Sequence, residues 1–485
     1  MNDRAAVAFP QVTALRAQHL LGRTAFRVAP ALAAAVMAGS HLGSLGRGVI
    51  VFFAIFLASL ALERERYPIQ LMPLAGFVIR ASVPIIGVAL ALTTFALAGQ
   101  PESVWSMAVP VIGAWVMTAI AAWSKARFET SRRVRVGVIG SAGLARGLDE
   151  ELHNSGIRAY EVVGWIAGDR PPVERGEGGP RRLGSLGQVR KVVQRHTLDL
   201  LVHSNSGSAD PDEPRHSRLE VFERVAASCL DLPVRLIEAS QLYEERLGHV
   251  PLGQSNSAWF QYLLHPRYRP GSPSGKRAFD AVFGMLMAVA VAPVLAAFAL
   301  AVKLTDGGPV LYRQRRVGEG GREFEMIKIR TMRVVAEADG ARWSGSDDDR
   351  VTHVGRIMRR MHIDELPQLW NVLRGEMTLV GPRPERPELI AELERSLTYY
   401  DRRHLVKPGI AGWAQARCGY GGSEEGTGWK LCHDLFYLKH RSLYFDFLIL
   451  LENVRVSLQS GVQFDVRLPQ EQFILGHAVS EAQRS

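Results

Sequence analysis

Residues 363–388 read IDELPQLWNVLRGEMTLVGPRPERPE. Asp364 is a natural N-cap, and Glu365, Leu366 and Pro367 follow as a first turn. Proline is tolerated there because the N–H it lacks has no helical partner at that position. LPQLWNVL continues a helix and Gly375 stops it. Asp364 thus stands at the positive end of a helix dipole, which keeps its carboxylate ionised and favours a phosphate nearby. An ionised carboxylate can attack phosphorus and form an acyl phosphate. Adjacent Glu365 can help Asp364 hold Mg2+, an ion that suits carboxylates together with phosphate oxygens. From these two residues alone, a dyad that only caps a helix reads the same way.

The second half of the stretch adds a cation. In Gly381-Pro382-Arg383-Pro384 two prolines fix the backbone around one guanidinium, whose planar fork matches phosphate oxygens. More basic and polar side chains precede it: Gln314, Arg315 and Arg316, then Lys328, Arg330 and Arg359. The segment LYRQRRVGEGGREFEMIKI reads as a β-hairpin with a Gly-Gly turn. Residues 353–373 read as helix, 385–404 as an amphipathic helix running from acidic to basic, and 443–459 as a packed or membrane-surface helix.

The rest of the chain is segregated. It has 485 residues, 47% hydrophobic and 22% charged, with 58 Lys+Arg against 48 Asp+Glu. Those proportions exclude a disordered or collagen-like chain. The net charge of +10 points to phosphate-bearing partners. Three scattered cysteines, Cys229, Cys418 and Cys432, make neither a disulfide scaffold nor a zinc site. Residues 28–46, 48–62, 81–99 and 103–124 carry no Asp, Glu, Lys or Arg. About 20 helical residues cross a hydrocarbon core of about 30 Å. Basic residues gather at the N-terminus, before 81 and after 124, which predicts a four-helix transmembrane bundle over 1–131 with both ends cytoplasmic.

Strands and helices alternate through 132–247, which predicts a Rossmann-like α/β domain with a parallel sheet. Its first turn has Gly137, Gly140 and Gly143, off the G-x-G-x-x-G dinucleotide spacing. A membrane-anchored nucleotide-dependent oxidoreductase or epimerase is the alternative reading built on this domain, and an export scaffold is a third. Residues 248–276 read as a linker, 277–470 as a polar α/β catalytic domain, and 471–485 as a tail. Within it, 281–302 is a fifth uncharged run with Pro293 near its middle and basic flanks on both sides. Proline removes a helical hydrogen bond, and like-signed flanks favour a re-entrant helix that bends at Pro293 and returns. An ordinary fifth span is the other possibility.

The strings KRAFDAVFG (276–284), RQRRVG (313–318), FEMIKIRTM (324–332), 350–388, RRHLVKPGIAGWAQ (402–415) and DLFYLKHRSLYFD (434–446) resemble the bacterial sugar transferase family, the monotopic phosphoglycosyl transferases. With four N-terminal membrane segments and a degenerate nucleotide fold, the chain resembles its long, exopolysaccharide-initiating members, similar to undecaprenyl-phosphate glucose phosphotransferase. The resemblance implies transfer of a sugar 1-phosphate from a UDP-sugar to polyprenyl phosphate with release of UMP. It implies Asp364 and Glu365 as the catalytic, Mg2+-binding dyad, with Asp364 as nucleophile. It also implies Arg383, Lys328, Arg359, Arg316 and Gln314 as substrate-binding residues. The family's membrane bend usually carries Ser-Pro, whereas this chain has Ala292-Pro293. The implied partners are the lipid bilayer and the two substrates, with no nucleic acid, and a homodimer is allowed. The implied location is the bacterial inner membrane, with the catalytic domain on its cytoplasmic face.

Overall fold

The computed structural model describes residues 31–38, 45–62, 72–97, 108–131, 133–167, 180–203, 215–252, 273–333, 350–418 and 424–458. The 471–485 tail lies outside the described residues. Two compact units divide at residues 247 and 248.

In the first unit, residues 31–38 are helical and are followed by α1 (Leu45–Leu62), α2 (Pro73–Leu97) and α3 (Ala108–Ser131). Small residues bring the four segments together: Ala31, Ala34, Ala54, Ala58, Ala91 and Ala114 share one core with Ile55 and Phe95. A Cβ on Gly87 would fall 2.6 Å from the Ile55 backbone, so α1 and α2 meet almost backbone to backbone. Among the described residues of this group, α2 alone is long and apolar enough to cross a membrane, and the apolar stretches Val49–Ala58 and Val109–Ile120 are shorter. The helix α2 starts before the uncharged run, so Arg80 lies inside it rather than in a preceding loop.

A five-stranded parallel sheet follows, in the order β3-β2-β1-β4-β5, as expected for alternating strands and helices. Its strands are β1 (Val134–Ile139), β2 (Tyr160–Ala167), β3 (Arg181–Ser185), β4 (Leu200–His203) and β5 (Arg235–Glu238). The helix α4 (Ala142–Asn154) opens on Ser141, whose hydroxyl accepts from the Leu144 N–H. Gly137 lies within β1, where a Cβ would come 2.6 Å from Leu198 Cδ1, so this glycine serves strand packing.

The second unit holds α5 (Pro273–Asp306), then the antiparallel hairpin β6 (Leu311–Val317) and β7 (Glu323–Ile329). The Gly-Gly turn is as read: Gly320 and Gly321 both have positive φ, 66° and 76°. Next come α6 (His353–Arg360), a 3₁₀ helix over Ile363–Gln368, and α7 (Leu369–Arg374). After these follow β8 (Thr378–Val380), α8 (Pro387–Ser396), β9 (Gly409–Ala411), α9 (Trp413–Cys418), α10 (Glu424–His440) and α11 (Leu443–Leu458). Three expectations are corrected. The helix read over 353–373 is three pieces, broken at His362, whose φ is 54°. The helix read over 385–404 ends at Ser396, and Tyr399 (φ 68°) starts a separate 3₁₀ helix over Tyr400–Leu405. The first residues of the linker are packed rather than loose. His249, Val250 and Leu252 are buried, Val250 N–H donates to Cys432 O, and Trp413 Nε1 donates to Gly248 O.

The helix α5 is continuous through Pro293 over 34 residues and is largely exposed between 282 and 297. Both its ends pack on the second unit. Near the start, Asp280 accepts from Thr378 Oγ1 (2.6 Å) and from the Leu379 N–H (3.1 Å). Lys276 pairs with Asp446 (2.7 Å), and Arg277 donates to the Val372 and Leu373 carbonyls at the end of α7. These two basic residues, part of the basic flank that precedes the uncharged run, are therefore engaged inside the protein. At the far end Val302 shares a core with Ile329, Met358 and Ile363, and Leu295 and Phe298 pack against it.

Candidate active site

The dyad sits on the 3₁₀ helix, with both side chains buried. The N-cap position belongs to His362, so Asp364 lies in the first turn rather than capping it. Pro367 falls inside this tight turn, and Gly375 (φ 83°) closes α7.

Glu365 is surrounded by cations. Arg383 Nη1 donates to its Oε2 at 3.0 Å and Nη2 donates to Oε1, a bidentate pair. Lys328 Nζ lies 3.3 Å from Oε1. Burial alone would raise the pKa of Glu365, but Arg383 and Lys328 hold its carboxyl well below the usual carboxylate range. Asp364 moves the other way: burial, then the neighbouring Glu365 charge, push its pKa up. Burial lowers the Lys328 pKa, with Glu365 opposing.

Lys328 is delivered by β7, and β7 is fixed to α7 by Asn371. That buried amide donates to Glu325 O (2.7 Å) and accepts from the Ile327 N–H (3.1 Å). Asn371 thus acts as an extra ladder partner for β7, a role the sequence did not signal. Arg383 is delivered by the loop after β8. There Gly381 and Gly409 meet so closely that a Cβ on Gly409 would fall 2.0 Å from Gly381 N. Glycine at both positions lets β8 and β9 bring the Pro-Arg-Pro loop to the dyad.

The structure gathers Asp364, Glu365, Lys328 and Arg383. Arg316 stands beside them on the loop: Nη1 donates to Pro384 O at 3.0 Å, and Nη2 donates to Gln314 Oε1 at 2.8 Å. Burial brings the Arg316 pKa down to about 10, with Glu385 opposing. Gln314 therefore orients Arg316. Arg359 Nε donates to Thr331 Oγ1 at 2.9 Å, one turn ahead of the dyad. Pro293 lies on α5, in the exposed stretch. Sequence reasoning missed Asn371 and also Arg403, whose guanidinium reaches the Arg383 carbonyl.

The donor set suits Mg2+ in part. Among the described residues no group of three or more His, Cys, Asp or Glu side chains is placed to hold a metal. Asp364 offers a carboxylate, while both Glu365 oxygens are taken by Arg383 and Lys328. A magnesium ion that keeps its waters and uses phosphate oxygens needs only one or two carboxylates.

A model of the family described as "Bacterial sugar transferase" matches residues 272–460. The chain is 36% identical over 237 residues to a UDP-N-acetylgalactosamine-undecaprenyl-phosphate N-acetylgalactosaminephosphotransferase of Aeromonas hydrophila, covering 49% of this chain and 55% of that one. It is 44% identical over 197 residues to an undecaprenyl-phosphate glucose phosphotransferase of Komagataeibacter xylinus, covering 39% and 37%. The matched segments thus span about half of the first relative's length and about a third of the second's. It is also 37% identical to exopolysaccharide production protein PSS of Rhizobium leguminosarum bv. phaseoli, covering 39% of this chain and 98% of that one. Matched along nearly the whole length of this last relative, the chain belongs to the bacterial sugar transferase family.

Proposed function

We propose that the chain transfers a sugar 1-phosphate from a UDP-sugar to polyprenyl phosphate. Asp364 attacks the phosphorus that carries the sugar, the bond to UMP breaks, and UMP leaves with its electron pair. An oxygen of the lipid phosphate then attacks the same phosphorus, frees Asp364 and yields a polyprenyl diphospho-sugar. One observation carries this reading: two adjacent buried carboxylates, of which one is neutralised by Arg383 and Lys328 while the other is raised in pKa. A raised pKa makes an ionised carboxylate a better nucleophile. Arg383, Lys328 and Arg316 supply positive charge where two phosphates must meet. Asp364, with Glu365 beside it, would be the residue to hold Mg2+, which when bound would neutralise diphosphate charge. The names of the Aeromonas and Komagataeibacter relatives support the reaction class, and they differ in the sugar.

We further propose that the site faces the cytoplasm at the bacterial inner membrane, since UDP-sugars are cytoplasmic. The four N-terminal apolar segments would anchor it and α5 would enter the bilayer and return. What supports the return is that both ends of α5 pack on the unit that carries the dyad.

The test is UMP release by the reconstituted protein across a panel of UDP-sugars. Asp364→Asn is expected to lose at least about 10³-fold, the scale of removing a nucleophile. The acid limb of the parent's pH profile should lie above the range of an unperturbed Asp, because the ionised form reacts and its pKa is raised. Undiminished turnover by Asp364→Asn would sink the proposal.

A further inference from the structure

Arg403 is a buried cation with no place in the chemistry above. Its 3₁₀ helix follows Tyr399, whose left-handed backbone turns the chain toward α10. The guanidinium has two hydrogen-bond partners and one ion-pair partner. Nη1 donates to Tyr400 Oη (2.6 Å), Nη2 donates to the main-chain carbonyl of Arg383 (2.8 Å), and Nη2 lies 2.9 Å from Asp434 Oδ2 on α10. Tyr400 and Asp434 are buried as well. The fork is filled from inside the protein, so Arg403 acts on substrate only through what it holds.

What it holds is one of three consecutive carbonyls. Pro382 O accepts from the Gly409 N–H (2.9 Å), Arg383 O from Arg403, and Pro384 O from Arg316 (3.0 Å). Every carbonyl of Pro-Arg-Pro is therefore tied to a different element. The middle tie is made by a group fixed to both Tyr400 and Asp434, and it falls on the residue whose side chain pairs with Glu365. A buried guanidinium that only balanced Asp434 would not need this third, main-chain contact.

We propose that Arg403 is a positioning residue that fixes the Arg383 backbone and so aims the Arg383 guanidinium at Glu365 and the donor phosphates. The last part rests on the UDP-sugar reading above. A lysine keeps the charge opposite Asp434 but cannot reach three partners with a planar fork. Tyr400→Phe removes one strut and is the gentler variant.

Two readouts test it in the full-length reconstituted protein. The first is a double-mutant cycle on the KM for UDP-sugar in UMP release. Arg403→Lys should raise KM about tenfold or more in the parent and less than about twofold in an Arg383→Lys background. A merely structural defect would impose the same factor in both. The second readout is the rate at which phenylglyoxal modifies Arg383, followed by peptide mass spectrometry without substrate. It should rise severalfold in Arg403→Lys and less, in the same direction, in Tyr400→Phe. Equal KM factors in the two backgrounds, or an unchanged Arg383 modification rate, overturn the proposal. If Arg403→Lys does not fold, Tyr400→Phe carries both arms. If the parent releases no UMP, the donor reading falls and the modification rate alone decides Arg403.

Discussion

Asp364 and Glu365 are adjacent in sequence and similarly buried, yet their acidities are pushed in opposite directions. The difference lies in which one the cations touch, and that is set by β7 and by the loop after β8. His433 shows the same principle with the opposite charge. Burial lowers its pKa to about 3, while its Nδ1 contact with Trp429 O (3.0 Å) works the other way. In the unfolded chain a histidine takes up a proton near pH 6.5. Between about pH 6.5 and 3 the unfolded state therefore binds the extra proton, and stability falls as pH falls, by about 1.4 kcal/mol per unit for this group. His433→Phe should flatten the pH dependence of the thermal midpoint below pH 6.5, whatever its midpoint at pH 7. Equal slopes for the two proteins would count against this. The helix start was misplaced by two residues and the dyad was singled out through the family's motif strings, whereas the Gly375 stop and the two prolines around Arg383 were legible in the sequence because such signals are local. Arg403–Asp434 and the Asn371 tie were not, because each joins elements far apart in the chain and neither end has a spacing to betray it.

Among elements, the segment 248–252 bears on where the second unit begins. The family match starts at residue 272, but His249, Val250 and Leu252 are buried in this unit. His249 packs between Trp429 and His433, at centroid distances of 4.6 and 5.2 Å. Burying two aliphatic side chains is worth about 3–6 kcal/mol in total. At about 2–4 °C per kcal/mol for a unit of this size, a chain starting at Pro273 should melt roughly 6–24 °C below one starting at Gly248. Matching midpoints would mean that the segment is ornamental. Composition hid this segment: it precedes a Pro- and Gly-rich stretch and reads as linker, and only its tertiary partners show otherwise. The hairpin and the parallel sheet were readable because alternation and turn glycines are periodic signals. The breaks at His362 and Tyr399 were not, since both need a positive φ at a non-glycine residue, which no local pattern announces.

For the whole molecule the deciding element is α5. At about 1.5 Å per residue its 34 residues measure about 51 Å, more than a hydrocarbon core of about 30 Å. Length alone would thus permit a span. Packing argues otherwise. Residues 276–280 bind β8, α7 and α11, while Leu295, Phe298 and Val302 pack with Ile329, Met358 and Ile363. Both groups of partners belong to one folded unit, and a polar folded unit occupies one side of a bilayer. Met285, Leu286, Val289 and Val294 are exposed between the two contacts and, in the proposed re-entrant placement, would be the side chains offered to lipid. Pro293 leaves the Val289 carbonyl without its helical donor, and Ala292 has no hydroxyl to compensate, so that carbonyl must find another partner at whatever depth it lies. Lys276 is a poor labelling site because it pairs with Asp446 and Asp280. Ser274 and Leu304 are exposed and flank the apolar stretch. In intact cells, Ser274→Cys and Leu304→Cys should both resist a membrane-impermeant thiol reagent, and both should react once the membrane is opened. Labelling at 304 alone would place the two ends of α5 on opposite faces, and the proposed use of cytoplasmic UDP-sugar would then put the site on the wrong side of the membrane.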